Sequence, residues 1–294
     1  MAATAVQATP APAPAPAPRR IRSLDRVNPL VYVVAWLLVG VCIGPVAFII
    51  LGGLRTNSQI TMDPSGFPTT WEWGNYSSVL NSSLFWQQFT NSAICGIATT
   101  IGVVILGVMA SFVLARYDFK AQPALYSLFA AGLMFPMTVA ITPLYILVKN
   151  LGLMNTLPGI ILPQIAFALP TTIIILVPFL RAIPKELEEA AAIDGASRIG
   201  FFFRMVVPLS LPGVVTVGIL AFVASWNSYM LPLFILNDEA MYTLPLGVQS
   251  FASQYSVDTA RVLAFTSLSM IPALIFFSLF ERRIVGGLTG AVKG

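Results

Sequence analysis

The sequence contains no histidine, only two cysteines and little charge: Asp, Glu, Lys and Arg make up 10% of its 294 residues. Without histidine there is no imidazole general base and no His-ligated metal centre, and no other metal site is expected. Cys42 and Cys95 both fall in long apolar runs, where a thiol acts as a small packing group. Soluble domains are about a quarter charged, so the scarcity of charge excludes that class. A phosphate-binding loop, G-x-x-x-x-G-K-[ST], is also missing; the glycine-rich end from Gly286 to Gly294 holds Lys293 but no matching loop, strand or following helix. This chain is therefore not expected to hydrolyse ATP or to bind a cofactor of its own. The apolar runs carry no Asp, Glu, Lys or Arg away from their ends, whereas proton-coupled carriers and ion pumps usually rely on buried ionisable groups. That argues against a secondary carrier, and the lack of clustered carboxylates argues against a membrane-embedded enzyme.

What is abundant is apolar surface, with 57% hydrophobic residues and a mean hydropathy of +0.83. A bilayer core takes about 20 apolar residues per helix. Six segments qualify: Pro29 to Leu54, Phe89 to Ala115, Leu125 to Val148, Gly159 to Leu180, Val207 to Leu231 and Val262 to Phe280. The expected fold is an all-α integral membrane protein with six transmembrane helices and membrane lipid around it. Lys and Arg set the orientation. Thirteen lie on one side, at Arg19, Arg20, Arg22, Arg26, Arg116, Lys120, Arg181, Lys185, Arg198, Arg204, Arg282, Arg283 and Lys293, against three on the other, at Arg55, Lys149 and Arg261. Both termini are thus expected in the cytoplasm, with the chain crossing the plasma membrane several times. The net charge of +4 follows from this topology and does not point to nucleic acid.

The expected organisation is a disordered Ala/Pro-rich cytoplasmic tail over 1–28, a six-span domain over 29–281 and a cytoplasmic tail over 282–294. Proline occupies every second position from Pro10 to Pro18, a pattern that favours an extended, stiff segment. The first span is long for a signal peptide and lacks an obvious cleavage pattern, so it is expected to be retained. The outer loop from Arg55 to Gln88 carries Trp71, Trp73, Tyr76, Phe85 and Trp86, expected as headgroup-level anchors on an amphipathic stretch. Pro136, Pro143, Pro163, Pro170, Pro178 and Pro272 interrupt the spans and tend to kink them. Uncharged polar groups in the spans suit a polyhydroxylated solute, which hydrogen-bonds without charge. Asn91, Thr138, Gln164, Asn227 and Tyr229 are the candidate path residues, with Ser92, Thr142, Thr171 and Ser228 beside them; helix–helix hydrogen bonding is the competing role for each.

The charge-dense island from Glu188 to Pro212 separates the fourth and fifth spans. Pro184 suits a helix first turn, and a short helix over Lys185 to Ile193 is expected to end at Asp194-Gly195, a C-cap signal. Ser197 can cap a second short helix through Ile199, Phe202, Phe203 and Met205, after which Pro208 and Pro212 open the fifth span. Small residues at the corner leave room for another protein to approach.

The order Glu189-Ala190-Ala191, Asp194-Gly195-Ala196, Phe201 to Phe203, Pro208 and Pro212 resembles the EAA loop of ATP-binding-cassette (ABC) importer permeases. Trp226-Asn227 with Pro232, Leu244-Pro245-Leu246-Gly247, and Glu281-Arg282-Arg283-Ile284-Val285 with the Gly290-Ala291-Val292-Lys293-Gly294 ending are similar to carbohydrate-importer permeases of the maltose type, specifically the smaller six-span membrane subunit. Glu281 departs from that pattern, since many relatives carry an amide there. The resemblance implies a sugar-importing permease subunit that is itself no enzyme. Its partners would be a second homologous permease, two nucleotide-binding ATPase subunits carrying ATP and Mg, and an extracytoplasmic sugar-binding protein. It also implies that Glu189, Ala190, Ala191, Asp194, Gly195 and Ala196 couple to the ATPase, with Gly290, Lys293 and Gly294 adding tail contacts. An importer of another small solute, such as a polyol, glycerol phosphate or oligosaccharide, is the alternative within the class; a secondary carrier is the alternative outside it.

Overall fold

The computed structural model describes residues 29–251 and 258–292, with 281–292 as backbone only. The first 28 residues, Lys293 and Gly294 lie outside this range, as do the expectations placed on them. All regular secondary structure among the described residues is helical. The chain divides into two units, Met1–Pro45 and Val46–Gly294. The first consists, in its described part, of the opening turns of α1 (Pro29–Gly52). That helix is apolar on all sides, the character of a membrane span.

In the second unit, α1 finishes at Gly52, and two short helices follow, α2 (Asn57–Met62) and α3 (Gly74–Leu80). Arg55 is buried here and ties the end of α2 to the chain that follows, donating to the carbonyls of Gln59, Asp63 and Pro64. Of the five aromatics expected as interfacial anchors, Trp71, Trp73 and Trp86 are exposed, but Phe85 is buried and the Tyr76 hydroxyl donates to the Ile50 carbonyl at 2.8 Å. These two belong to the packing, because α3 folds down onto the helix ends. The next helix, α4 (Ser83–Arg116), starts six positions before the expected Phe89, since the Ser82 hydroxyl caps it by accepting from the Phe85 amide.

The third span is broken where a continuous helix over Leu125 to Val148 is expected. Helices α5 (Gln122–Gly132) and α6 (Met137–Asn150) meet at 102°. Pro136 stands at the break with extended backbone, φ −73° and ψ 137°; it has no N–H to continue α5, and it disfavours helical backbone at Phe135. Helix α7 (Leu157–Arg181) keeps Pro163, Pro170 and Pro178 inside it and begins at a Thr156 cap. Then come α8 (Lys185–Ile193), α9 (Arg198–Phe201), a π-helical turn over Phe202–Val206, α10 (Val207–Leu209) and α11 (Leu211–Trp226).

The fifth span is thus shorter than the expected Val207 to Leu231. Arg198–Leu209 and α11 are bent by 75° at Ser210, whose hydroxyl turns back to the Val206 carbonyl at 2.7 Å. Pro212 alone opens the span helix, and Pro208 belongs to the preceding segment. After Trp226 the chain breaks again before α12 (Met230–Ile235), and α13 (Leu244–Gly247) follows. The last helix, α14 (Thr259–Val292), continues through residues expected as a separate tail, with Pro272 its last proline. Gly290 therefore lies in helical backbone. Among the described residues four helices are long and apolar enough to cross a membrane, and six spans result if each bent pair counts as one. The chain is a multi-pass membrane protein.

The centre of the bundle is α4, which packs along α7 and α11, while α11 also packs on α14. Small residues permit the close approach: Gly102 and Gly107 of α4 face Ile165 and Thr172 of α7, and Gly96 faces Phe222 of α11. Phe222 in turn stacks on Phe276 of α14 with ring centroids 4.2 Å apart.

Candidate functional site

Two regions carry chemistry: the corner between α8 and α9, and a cavity inside the bundle. The corner is a Schellman motif. The Ala196 amide donates to the Ala191 carbonyl at 2.9 Å and the Gly195 amide to the Ala192 carbonyl at 3.1 Å. Gly195 has φ +77°, a left-handed backbone that only glycine adopts without cost. Past it, the Ser197 hydroxyl accepts from the Gly200 amide at 3.1 Å and starts α9. Glu186 and Glu188 sit in the first turn of α8, where negative charge is favoured.

The six corner residues do not share one environment. Glu189, Ala190, Asp194, Gly195 and Ala196 are exposed, but Ala191 is buried. It packs with Phe112, Leu180, Ile183, Phe201 and Val206, so it anchors the corner and is not available as a contact surface. The reason is helical spacing, because Ala191 lies on the same face as Leu187, which also joins this cluster. Three large apolar side chains stand out from the corner in turn: Ile193, Ile199 and Phe203 are 86%, 72% and 64% exposed. The corner is tied to the bundle by Arg116, the last residue of α4, which donates to the Ile183 carbonyl at 2.8 Å. Arg198 adds a cation–π contact, 5.5 Å over the Tyr117 ring.

The cavity, about 380 Å³, lies among α4, the start of α6, α7 and α11. Its polar groups are Thr99, Gln164, Thr171, Thr172, Ser225 and Ser228, among apolar residues such as Phe167, Ile175 and Leu220, and among the described residues no charged side chain lines it. Gln164 is the one candidate among the five path residues that the structure places here. Thr171 and Ser228, from the wider set, join it.

The other four path residues lie elsewhere. Asn91 is buried, but its amide donates to the carbonyls of Ala240 at 2.8 Å and Tyr242 at 3.0 Å. Ser92 beside it accepts from the Leu244 amide at 2.8 Å. Both fasten the 239–244 loop, whose backbone would otherwise be buried unpaired. Asn227 donates back to the Val223 carbonyl, and the Tyr229 hydroxyl accepts from Gln249. Thr138 is exposed on α6 outside the cavity. Asn91→Leu is expected to strand two carbonyls and cost about 2–4 kcal/mol, while solute affinity stays within twofold. A thermal unfolding curve beside an uptake KM checks this, and a raised KM at unchanged stability would return Asn91 to the path.

Thr99, Thr172 and Ser225 line the cavity without being among the candidate path residues of the sequence. A signal existed for Ser225: Gly218, Ala221 and Ser225 recur at spacings of three and four, a small-residue face on α11, and Ser228 follows just past its end. For Thr99 the sequence offers nothing to separate it from Thr100, whose hydroxyl turns back to Gly96. Among the described residues no group of three His, Cys, Asp or Glu is placed to hold a metal.

Comparison with known proteins places these features in a family. The model of the binding-protein-dependent transport system inner membrane component matches residues 104–286. The chain is 38% identical over 261 residues to the trehalose transport system permease protein SugB of Mycobacterium tuberculosis, covering 88% of this chain and 95% of that one. It is 34% identical over 251 residues to the diacetylchitobiose uptake system permease protein NgcG of Streptomyces coelicolor, covering 85% and 83%. A solved bacterial ABC transporter involved in alginate import superimposes with a TM-score of 0.76 over 88% of this chain and 96% of that one, at 20% identity. At that identity the likeness speaks for the fold.

Proposed function

Because the chain belongs to the binding-protein-dependent transport system inner membrane component family and is a permease subunit of an ABC importer, we propose that its solute is a neutral saccharide. It moves solute and is not an enzyme. The observation that carries the saccharide reading is the cavity, lined by hydroxyls and one carboxamide and by no charge. Hydroxyl-rich solutes match such a lining in donors and acceptors. A glycerol phosphate or other anion would leave its charge facing no cation, which is costly in low dielectric. Permeases for trehalose and diacetylchitobiose among the relatives support the same choice.

In this reading the chain forms half of the path and a second, homologous permease forms the other half. The α8–α9 corner lies on the cytoplasmic side with both termini, a placement the excess of Lys and Arg there supports. It seats in a cleft of a nucleotide-binding subunit, with Ile193, Ile199 and Phe203 as the apolar contacts and Glu189 beside them. A patch of large apolar side chains at the watery end of a membrane protein is the mark of a protein contact. ATP and Mg sit in a pair of such subunits. Their closure pulls the corner, and Arg116 passes the pull to α4 and so to α7 and α11, the walls of the cavity. A sugar-binding protein delivers solute to the opposite face, where α2, α3 and the 237–243 segment lie.

Purification of the tagged chain in mild detergent is expected to recover a P-loop ATPase and a second permease, and uptake by the complex in vesicles is expected to require ATP. Uptake by the chain alone, abolished by an uncoupler and indifferent to ATP, would overturn the proposal and favour a secondary carrier.

A further inference from the structure

Gln164 is held in an unusual way for a polar residue inside a helix bundle. Its Oε1 accepts from the Thr99 hydroxyl of α4 at 3.1 Å and from the Ser225 hydroxyl of α11 at 2.6 Å. In an apolar helix, a Ser or Thr hydroxyl ordinarily donates to the carbonyl four residues back. On the same three helices Thr100, Thr172 and Thr216 do so, to Gly96, Ala168 and Pro212. Thr99 and Ser225 forgo that bond and turn to one carboxamide. Both carboxamide lone pairs are thereby used, and the amide end is fixed in direction. Its Nε2 donates to nothing among the described residues, although Gln164 is only 7% exposed, and the opening beside it is the cavity.

This nitrogen is not sealed into the packing: it is not among the buried side-chain atoms left without a partner, and it lines the cavity, so a group entering the cavity can complete it. Two hydroxyls from two helices hold this donor against a cavity of about 380 Å³ whose described lining is uncharged. We propose that Gln164 is a specificity-determining residue of the path, whose Nε2 donates to a hydroxyl oxygen of the passing neutral saccharide, with Thr99 and Ser225 as its positioning residues. This rests on the saccharide-permease reading above. The anchoring explains why the donor, and not the acceptor end, faces the cavity. It also gives the site discrimination, since a solute lacking the matching oxygen leaves the donor unpaired at the cavity wall, and a site built to hydrogen-bond a hydroxyl disfavours the analogue without it.

The test uses the assembled importer in proteoliposomes, with trehalose, maltose, cellobiose and diacetylchitobiose as probes, then the monodeoxy analogues of whichever is taken up. In the wild type, removing one particular hydroxyl is expected to raise KM about 10-fold. Gln164→Met keeps the side-chain length, and Thr99 and Ser225 can then fall back on their own helix carbonyls, so the complex should still assemble. Its KM for the parent sugar is expected to rise about 10-fold, with no further rise for that deoxy analogue. Thr99→Val with Ser225→Ala keeps the amide but frees its direction, and is expected to raise KM about threefold and blunt the discrimination. A Gln164→Met complex that discriminates among the analogues as the wild type does would overturn the proposal and leave Gln164 as helix–helix glue. If Gln164→Met does not assemble, the double variant decides: the wild-type discrimination pattern overturns the proposal and a blunted one supports it. Failure of the wild-type complex to take up any of the four sugars would overturn the saccharide reading itself, and this proposal with it.

Discussion

Gly195→Val is expected to lower ATP-coupled uptake at least 10-fold, whereas Gly195→Asn keeps most of it. The reasoning separates space from backbone. A Cβ at Gly195 would meet nothing within 4 Å, so no neighbour is pushed aside. The conformation is what valine cannot accept: φ is +77°, and left-handed backbone costs an ordinary residue roughly 1–2 kcal/mol, more for a β-branched one. Asparagine tolerates that region. Relieving the strain would undo the two Schellman bonds that set the angle between α8 and α9, and a docking penalty of about 1.4 kcal/mol is already tenfold in engagement. The bundle itself should be unaffected, because the corner's anchor, Ala191, is four residues earlier and separately packed. ATPase stimulation by solute, uptake and thermal stability of the complex are the three readouts. Coupled uptake by the valine variant at the wild-type rate would sink the claim that the corner transmits force.

The second large effect is on folding. Gly159→Val is expected to destabilise the chain by about 3 kcal/mol or more, with a Tm lower by roughly 5–10 °C in detergent. A Cβ there would press on the Leu153 backbone carbonyl and lie 3.2 Å from both Ile235 and Val148. The carbonyl belongs to the turn leading into α7 and cannot swing away as a flexible side chain would. Val148, Ile160, Leu231 and Ile235 form one buried cluster here, tying α6, α7 and α12 together, so the strain has no soft direction. Gly218→Ala is the control, since its Cβ would sit 3.6 Å from the Thr100 and Val104 methyls, an ordinary contact, and it should unfold within a degree or two of the wild type. Equal melting of the two variants would refute the packing argument.

The residues most legible in the sequence are those governed by their immediate neighbours. Pro184 ahead and Asp194-Gly195 behind bound α8 at Lys185–Ile193, because capping and left-handed backbone are local matters settled within four or five positions. The Thr156 and Ser82 caps are equally local, yet the spans expected from hydropathy begin later, at Gly159 and Phe89, because polar residues precede the apolar runs while the helices already start at Leu157 and Ser83. The break at Pro136 was present as a kink signal, but its angle of 102° follows from how α5 packs on α7 and α12 on α6, which no window of sequence contains. The polar residues show the limit most clearly. Asn91 and Gln164 are both carboxamides in apolar helices, yet one fastens a loop some 150 residues away and the other faces a cavity.

The sequence by itself determined that this chain lives in a bilayer, which apolar segments are candidates to cross it, and where the exposed corner bends. Each follows from composition or from a local rule, hydropathy over some twenty residues or one glycine's φ. Only the tertiary structure decided that Ala191 turns inward, that Arg116 links the corner to the bundle, and that Thr99 and Ser225 converge on Gln164. Those outcomes depend on side chains from helices 61 and 65 residues apart meeting across the bundle, and a hydroxyl's choice between its own carbonyl and a neighbour's amide is made only when the neighbour arrives.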